Sequence, residues 1–71
     1  MAKKCRVRNR IRELRFLAGE MTQQELAQRI GVTRQTVVAI EKEKYSPSLE
    51  VAFRIAAEFE TPIGDVFTYD P

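Results

Sequence analysis

The sequence predicts a small all-α domain of five helices, with a short two-stranded ribbon that pairs the two ends of the chain. Three observations carry this prediction. Apolar residues recur at three- and four-residue spacing through most of the chain, which is the period of an amphipathic helix. Residues that cap helices precede these apolar runs, and glycine follows two of them. The length of 71 residues leaves room for one domain, so residues 1–71 are expected to form a single unit.

The composition is ordinary for a soluble globular protein, with 44% apolar and 31% charged residues. No apolar run reaches the roughly 18 residues that a transmembrane helix needs, and residues 1–6 lack the apolar segment of a secretory signal. Histidine is absent and Cys5 is the single cysteine, which excludes histidine-containing zinc sites, a Cys–His nucleophile and an internal disulfide. The unpaired thiol fits a reducing compartment. We therefore expect a cytoplasmic protein that needs no cofactor or metal.

Charge is distributed unevenly along the chain, although the net charge is only +2. Residues 1–15 hold seven basic side chains and one acidic one, whereas residues 46–71 hold one basic and five acidic side chains. The region between them is balanced. This layout predicts one cationic side, which would attract polyanions. The alternative is a basic arm that is merely solvated.

The first helix is expected over residues 9–18. Its apolar side chains would face the core, charged residues lie between them, and Gly19 is suited to end the helix. The apolar positions are Ile11, Leu14, Leu17 and Ala18.

Capping residues define the second and third helices. Thr22 and Glu25 have the spacing of a capping box, in which each side chain accepts a hydrogen bond from the backbone N–H of the other residue. Gly31 suits the left-handed turn that ends the second helix, and Thr33 can cap the third. The expected buried residues of these helices are Leu26, Ala27, Ile30, Val37 and Ile40.

The fourth and fifth helices follow a loop over residues 42–47. Ser48 is expected to cap the fourth helix, and Thr61 to cap the fifth with Pro62 at its first helical position. Residues 5–8 and 67–70 alternate enough to pair as the ribbon. The apolar faces comprise Leu49, Ala52, Phe53, Ile55, Ala56 and Phe59 in the fourth helix, and Ile63, Val66 and Phe67 in the fifth.

The stretch over residues 22–42 carries the chemistry. Two short helices joined by about three residues cannot lie antiparallel, so they cross steeply as in a helix-turn-helix. If Val37 and Ile40 point inward, the opposite side of the third helix carries amide, guanidinium and small groups but no carboxylate, which suits the major groove of DNA. The alternative is a solvated face with Val38 at the edge of the core. The outward residues are Gln35, Val38, Ala39 and Lys42, flanked by Arg34 and Thr36.

Glu41 is expected near the inward side of the third helix. An unpaired carboxylate there would be costly, and Arg15 on the first helix is its natural partner. The sequence therefore predicts a structural ion pair between Arg15 and Glu41.

The residues over 22–41, TQQELAQRIGVTRQTVVAIE, resemble the Cro/cI-type (XRE-type) helix-turn-helix repressors of bacteria, archaea and phages. KYSPSL at 44–49 and TPIGDVF at 61–67 are similar to the fourth and fifth helices of that family, so the resemblance covers about residues 9–67. It implies a five-helix lambda-repressor-like domain that binds double-stranded DNA sequence-specifically, usually as a homodimer, and regulates transcription.

The resemblance also implies roles for single residues. Gln23 would donate to a DNA phosphate, the third helix would face base edges, and the loop after it would follow the sugar-phosphate backbone. Arg15 and Glu41 match a structural ion pair of the family. The implied DNA-binding residues are Gln23, Thr33, Arg34, Gln35, Thr36, Val38, Ala39, Lys42, Lys44, Tyr45 and Ser46.

Two features depart from the family's pattern. The turn over residues 19–21 is one residue longer than the commonest form, which would shift the first helix slightly. Glu43 stands where relatives often carry glycine, which would weaken the approach of a phosphate. The basic arm over residues 3–8 lies outside the pattern, and it either touches DNA or only forms the ribbon.

A core this small leaves little net stability, and association is a common supplement. Ile63, Phe67 and Tyr69 are expected to form a homodimer interface remote from the third helix, whereas Phe59 more simply caps the core of the monomer. A two-fold dimer would place the third helices about 34–36 Å apart, on an inverted repeat.

The sequence thus predicts a nucleoid-associated transcriptional regulator of a prokaryote or phage, most simply a repressor. A chain of 71 residues leaves no room for a ligand domain, so no small-molecule ligand is expected. Two alternatives stay open: the antitoxin of a toxin–antitoxin pair, which represses its own promoter, and a protein-interaction module that kept the fold and lost DNA binding. An enzyme is the weakest reading, because no paired carboxylates or nucleophile–base set occur.

Overall fold

A computed structural model describes residues 6–70, which form five helices and a two-stranded antiparallel sheet. In chain order the elements are β1 (Val7–Asn9), α1 (Ile11–Leu17), α2 (Gln23–Ile30), α3 (Arg34–Glu41), α4 (Leu49–Glu58), α5 (Ile63–Val66) and β2 (Phe67–Tyr69). The predicted five-helix fold with its terminal ribbon is confirmed. Within residues 6–70, every helix is too short or too polar to cross a bilayer.

The expected caps start and end the central helices. Thr22 Oγ1 accepts from the Glu25 backbone N–H at 3.0 Å, and Glu25 Oε1 accepts from the Thr22 N–H at 3.0 Å, so the capping box is complete. Thr33 caps α3 and Ser48 caps α4 through their hydroxyls. Gly31 ends α2 in the left-handed conformation, with φ of 74°.

Helix α5 begins differently from the prediction. Pro62 occupies the N-cap rather than the first helical position, and the Thr61 hydroxyl caps nothing. It donates instead to the Phe59 carbonyl oxygen at 2.8 Å. The reason is that Glu60 adopts a left-handed conformation, with φ of 49°. This turn brings Thr61 back to the end of α4, where carbonyl groups lack partners within the helix.

The core lies where the five helices meet, and it is made almost entirely of aliphatic side chains. Burying one such side chain contributes about 1.5–3 kcal/mol relative to leaving it exposed. The side chains with less than 2% exposure are Ile11, Leu26, Ala27, Ile30, Val37, Ile55 and Val66, joined by Ile40 at 2%.

Four positions assigned to apolar faces are exposed. Leu17 and Ala18 lie on the surface because α1 ends at Leu17, before another inward-facing turn is complete. In α4 the buried stripe runs through Ala52, Ile55 and Ala56, so the wider predicted face extends past its partners. Leu49 and Phe53 are left 70% and 54% exposed.

The ribbon is offset from the predicted pairing. Val7 lies opposite Tyr69 and Asn9 opposite Phe67, whereas pairing of residues 5–8 was expected. Cys5 and residues 1–4 lie outside the described part of the chain. The offset reflects a double role of Asn9, whose Oδ1 accepts from the Ile11 N–H at 3.1 Å and whose Nδ2 donates to the Ile40 carbonyl at 2.8 Å. Asn9 therefore links β1, the start of α1 and the end of α3.

Arg15 and Glu41 join α1 to α3. Arg15 Nε donates to Glu41 Oε2 at 2.7 Å, and Arg15 Nη2 donates to Glu41 Oε1 at 3.0 Å. Arg15 Nη1 donates to the Met21 carbonyl at 2.8 Å. The two side chains are only 14% and 9% exposed, so the bidentate pair is shielded from solvent.

Replacing Glu41 tests this contact. Glu41→Ala leaves the Arg15 guanidinium partly buried without its carboxylate, so we expect a loss of about 1–3 kcal/mol in the free energy of unfolding. Chemical denaturation monitored by circular dichroism measures it. Glu13→Ala is the matched control, because it breaks the Arg10–Glu13 ion pair, which is exposed to solvent and lies at the start of α1, the helix that carries Arg15. Equal stability of the two variants would contradict a structural role for Glu41.

The capping box makes the stability of the folded chain depend on pH. Hydrogen bonds from Thr22, chiefly from its backbone N–H, lower the pKa of Glu25 below its ordinary value of 4.5. The stabilisation is therefore complete above pH 4.5 and is lost as the pH falls through the lower folded-state pKa. Glu25→Gln retains a capping side chain without the charge. We therefore expect the thermal unfolding midpoint of this variant to fall less steeply below pH 4.5 than that of the unsubstituted chain. Some pH dependence remains from other carboxylates such as Glu13, because its hydrogen bond with Arg10 is the chief cause that lowers the pKa of Glu13 as well. A Glu25 pKa at or above 4.5 by NMR titration would refute this explanation.

Candidate nucleic-acid interface

The burial of Val37 and Ile40 determines which side of α3 faces outward. At the start of the helix, Thr33 Oγ1 accepts from the Thr36 N–H at 3.2 Å, and the two hydroxyl oxygens lie 3.0 Å apart. The cap thus uses one of the two hydroxyl hydrogens, and the other hydroxyl can still donate. The rest of the outward face is left to side chains that make no such local bonds.

A shallow depression of about 340 Å³ lies on this outward face. Within the part of the chain that the structure describes, its lining includes an amide, a guanidinium, two ammonium groups and two small aliphatic side chains, but no carboxylate. Such a surface offers hydrogen-bond donors and methyl contacts to base edges while attracting phosphates. The lining residues are Arg34, Gln35, Val38, Ala39, Lys42 and Lys44.

A second depression, of about 330 Å³, lies between α1, the start of α2 and the end of α3. Lys42 lines both depressions, so the two adjoin at this side chain. Arg12 is part of the second depression and makes no ion pair within residues 6–70. Sequence reasoning missed Arg12, although its position three residues before Arg15 on the predicted first helix was a usable signal.

Gln23 also lines the second depression. Its Nε2 donates to Glu41 Oε1 at 3.2 Å, which uses one of the two amide hydrogens. Among the described residues, Glu41 is the only carboxylate that lines this depression, and Arg15 neutralises it. The depression is therefore cationic overall, and Gln23 retains one amide hydrogen for an anion.

The loop after α3 holds the remaining predicted residues. Tyr45 is 49% exposed, and Ser46 is also on the surface, but neither lines the two depressions. The loop begins with a Schellman motif, in which the Glu43 N–H bonds the Ile40 carbonyl and the Lys44 N–H bonds the Ala39 carbonyl, both at 3.0 Å.

Glu43 occupies the position of this motif that favours glycine. Its φ is 60°, a left-handed conformation that costs a residue with a Cβ about 1–2 kcal/mol. The carboxylate turns toward β1, where Arg8 Nη1 lies 2.5 Å from Oε1. The departure from glycine is thus paired with a basic residue rather than left beside the loop as a bare charge.

A different surface lies between α4 and α5. It is an apolar groove of about 470 Å³ lined in part by Phe53, Ala57, Pro62 and Ile63. Of the residues expected at a dimer interface, only Ile63 lines this groove. Phe67 packs against the core, and Tyr69 is 68% exposed on β2.

The sequence profile of the helix-turn-helix family matches residues 11–66 of the chain. The chain is 52% identical over 64 residues to an uncharacterized HTH-type transcriptional regulator of Archaeoglobus fulgidus, which covers 90% of each chain. It is 47% identical over 64 residues to one of Methanocaldococcus jannaschii, covering 90% of this chain and 96% of that one. It is 46% identical over 61 residues to one of Bacillus subtilis, covering 86% and 91%.

Proposed function

The chain belongs to the XRE-type helix-turn-helix family, and we propose that it is a transcriptional repressor that binds an inverted-repeat DNA operator as a homodimer. One observation carries the proposal. The depression on the outward face of α3 and the second depression adjoin at Lys42, and among residues 6–70 their lining holds one carboxylate, Glu41, which Arg15 neutralises. A surface of this charge and chemistry fits DNA, and the exposed donors of α3 give it a means of reading sequence.

Base recognition is assigned to the exposed part of α3. Gln35 can form a bidentate pair of hydrogen bonds with adenine, and Arg34 can do so with guanine. Val38 and Ala39 can contact a thymine methyl group. Thr36, which is half-buried like Val38 and Ala39, and the exposed Thr33 would lie beside the flanking sugar-phosphate. Each good side-chain pairing is worth about 1–3 kcal/mol of discrimination between bases.

Phosphate contacts surround this helix. Gln23 and Arg12 would hold one phosphate in the depression between α1 and α2. Lys42, Lys44, Tyr45 and Ser46 would follow the backbone on the loop side. These contacts position α3 on the duplex without reading its sequence.

The homodimer is assigned to the groove between α4 and α5. Phe53 is half exposed beside Ile63, and a second copy of the chain would cover both side chains. Tyr69, which is 68% exposed on β2, and Phe67, which packs against the core, would complete the interface. Because none of these residues lines the α3 depression, both copies of α3 would remain free for DNA.

Selection from a pool of random duplex DNA tests the function directly. A salt concentration of about 150 mM suppresses binding driven only by phosphates. An enriched inverted repeat, with half-sites about 34–36 Å apart, supports a dimeric regulator. A single enriched half-site would support sequence-specific DNA binding but contradict the proposed dimer. No enrichment with a folded chain would favour a protein-interaction module.

Two substitutions separate base reading from phosphate binding. Gln35→Ala is expected to relax the preference at one base position, because it removes a bidentate pair worth about 1–3 kcal/mol. Lys44→Ala is expected to weaken binding to all sequences and to reduce the salt slope by about 1. Titrations on matched and mismatched duplexes measure both effects, with Gln28→Ala on α2 as the control amide. Equal loss on every duplex for the Gln35 variant would remove this residue from base reading.

If the groove between α4 and α5 is the homodimer interface, a charge placed in it should prevent dimerisation. Phe53→Glu places a charge on an apolar surface without opening the core, since the side chain is 54% exposed. We expect the variant to sediment as a monomer with an unchanged circular dichroism spectrum. Phe16→Glu is the matched control, because Phe16 is 66% exposed on α1 and lies outside the groove. A dimer that persists in the Phe53 variant would move the interface elsewhere.

A further inference from the structure

The basic residue Arg8 lies on the ribbon, outside the helix-turn-helix, yet it contacts the loop that follows α3. Its Nη1 donates to Glu43 Oε1 at 2.5 Å, and its Nη2 donates to Asp70 Oδ2 at 3.0 Å. The side chains of Arg8 and Glu43 are 37% and 28% exposed, so this contact is partly shielded from solvent. One guanidinium thus connects both chain ends to the loop.

The neighbouring residue strengthens the same connection. Asn9 Nδ2 donates to the Ile40 carbonyl at 2.8 Å, one turn before Glu43. Two successive residues of β1 therefore hold the carboxyl end of α3 and Glu43 in the loop. Because the Lys44 N–H bonds the Ala39 carbonyl in the same turn, the conformation of Glu43 determines the direction in which Lys44 leaves the helix.

The charge of Glu43 makes its pairing important for binding a polyanion. It is flanked in sequence by Lys42 and Lys44, which are exposed and make no ion pair within residues 6–70. An unpaired carboxylate between these two lysines would oppose the approach of a phosphate. Its left-handed backbone would also favour rearrangement if nothing held the side chain.

We propose that Arg8 is a positioning residue for DNA binding: it neutralises Glu43 and holds the loop so that Lys44 faces the phosphate backbone. The inference rests on the proposed function in one respect only, because the hold on the loop exists whether or not DNA is bound. It assigns the basic ribbon an indirect role, distinct from a direct contact between Arg8 and DNA.

Amide hydrogen exchange tests the hold on the loop without DNA. In Arg8→Gln, the Lys44 amide is expected to exchange several-fold faster, while the Val37 amide in the middle of α3 is unchanged. Arg10→Gln is the matched control, since Arg10 is also half exposed and also pairs with a glutamate, Glu13, but does not reach the loop. Unchanged exchange at Lys44 in the Arg8 variant would overturn the proposal.

A double-mutant cycle tests the electrostatic part. The probe is a short random-sequence duplex at about 50 mM salt, where phosphate contacts dominate. Arg8→Gln is expected to weaken binding by roughly three- to tenfold, the effect of about one phosphate contact, and Arg8→Gln combined with Glu43→Gln should bind more tightly than Arg8→Gln alone. The same loss with and without Glu43→Gln would mean that Arg8 touches DNA directly and would overturn the proposal.

The two measurements separate this proposal from the proposed function. If the unsubstituted chain binds no duplex while Lys44 exchange still rises in Arg8→Gln, DNA binding fails and the hold on the loop stands. If the chain binds DNA and neither exchange nor affinity responds to Arg8→Gln, the function stands and the role of Arg8 is overturned. Thermal unfolding of each variant checks that its fold is intact.

Discussion

The arrangement of the elements that form the proposed DNA-binding surface depends on one guanidinium, that of Arg15. It donates to both oxygens of Glu41 and to the Met21 carbonyl, so it ties α1 to the end of α3 and to the turn before α2. Glu41 also accepts from Gln23 at the start of α2. Apolar packing between helices is non-directional, whereas these four hydrogen bonds specify an orientation. The depression that lies between α1, α2 and α3 has this network as its floor.

The connection extends beyond the helix-turn-helix through the ribbon. Asn9 binds the end of α3, Arg8 binds the following loop, and Arg10 donates its backbone N–H to the Val66 carbonyl at 2.9 Å. Three successive residues near the amino terminus therefore contact α3, the loop and α5. The proposed DNA surface and the α5 side of the molecule are linked by short polar contacts as well as by the core. In a small chain with few buried residues, hydrogen bonds and ion pairs beside the proposed DNA-binding surface add rigidity to that surface.

Local signals made most of the fold predictable. The Thr22 capping box, the Thr33 and Ser48 caps and Gly31 depend on neighbouring residues, and the structure contains them where the sequence indicated. Most of the positions that the sequence predicted incorrectly depend on residues far away in the chain. Whether Leu17 or Phe53 is covered depends on how far the other helices extend, and the role of Thr61 depends on the left-handed turn at Glu60. The predicted face of α3 follows from helical period, whereas Arg12 joins the site only through the packing of α1 beside α3.

The two left-handed glutamates that follow α3 and α4 show how the same local geometry acquires different consequences. Glu43 and Glu60 each end a helix at a position where glycine would be free of strain. Glu60 borders the apolar groove between α4 and α5, far along the chain from the cationic surface, and no ion pair within residues 6–70 involves it. Glu43 borders the lysines of the α3 loop and is paired with Arg8. An acidic side chain at the rim of an apolar groove keeps that rim solvated, whereas a free carboxylate beside the proposed DNA-binding surface would repel phosphates. The ion pair is therefore found at the glutamate whose free charge would oppose binding.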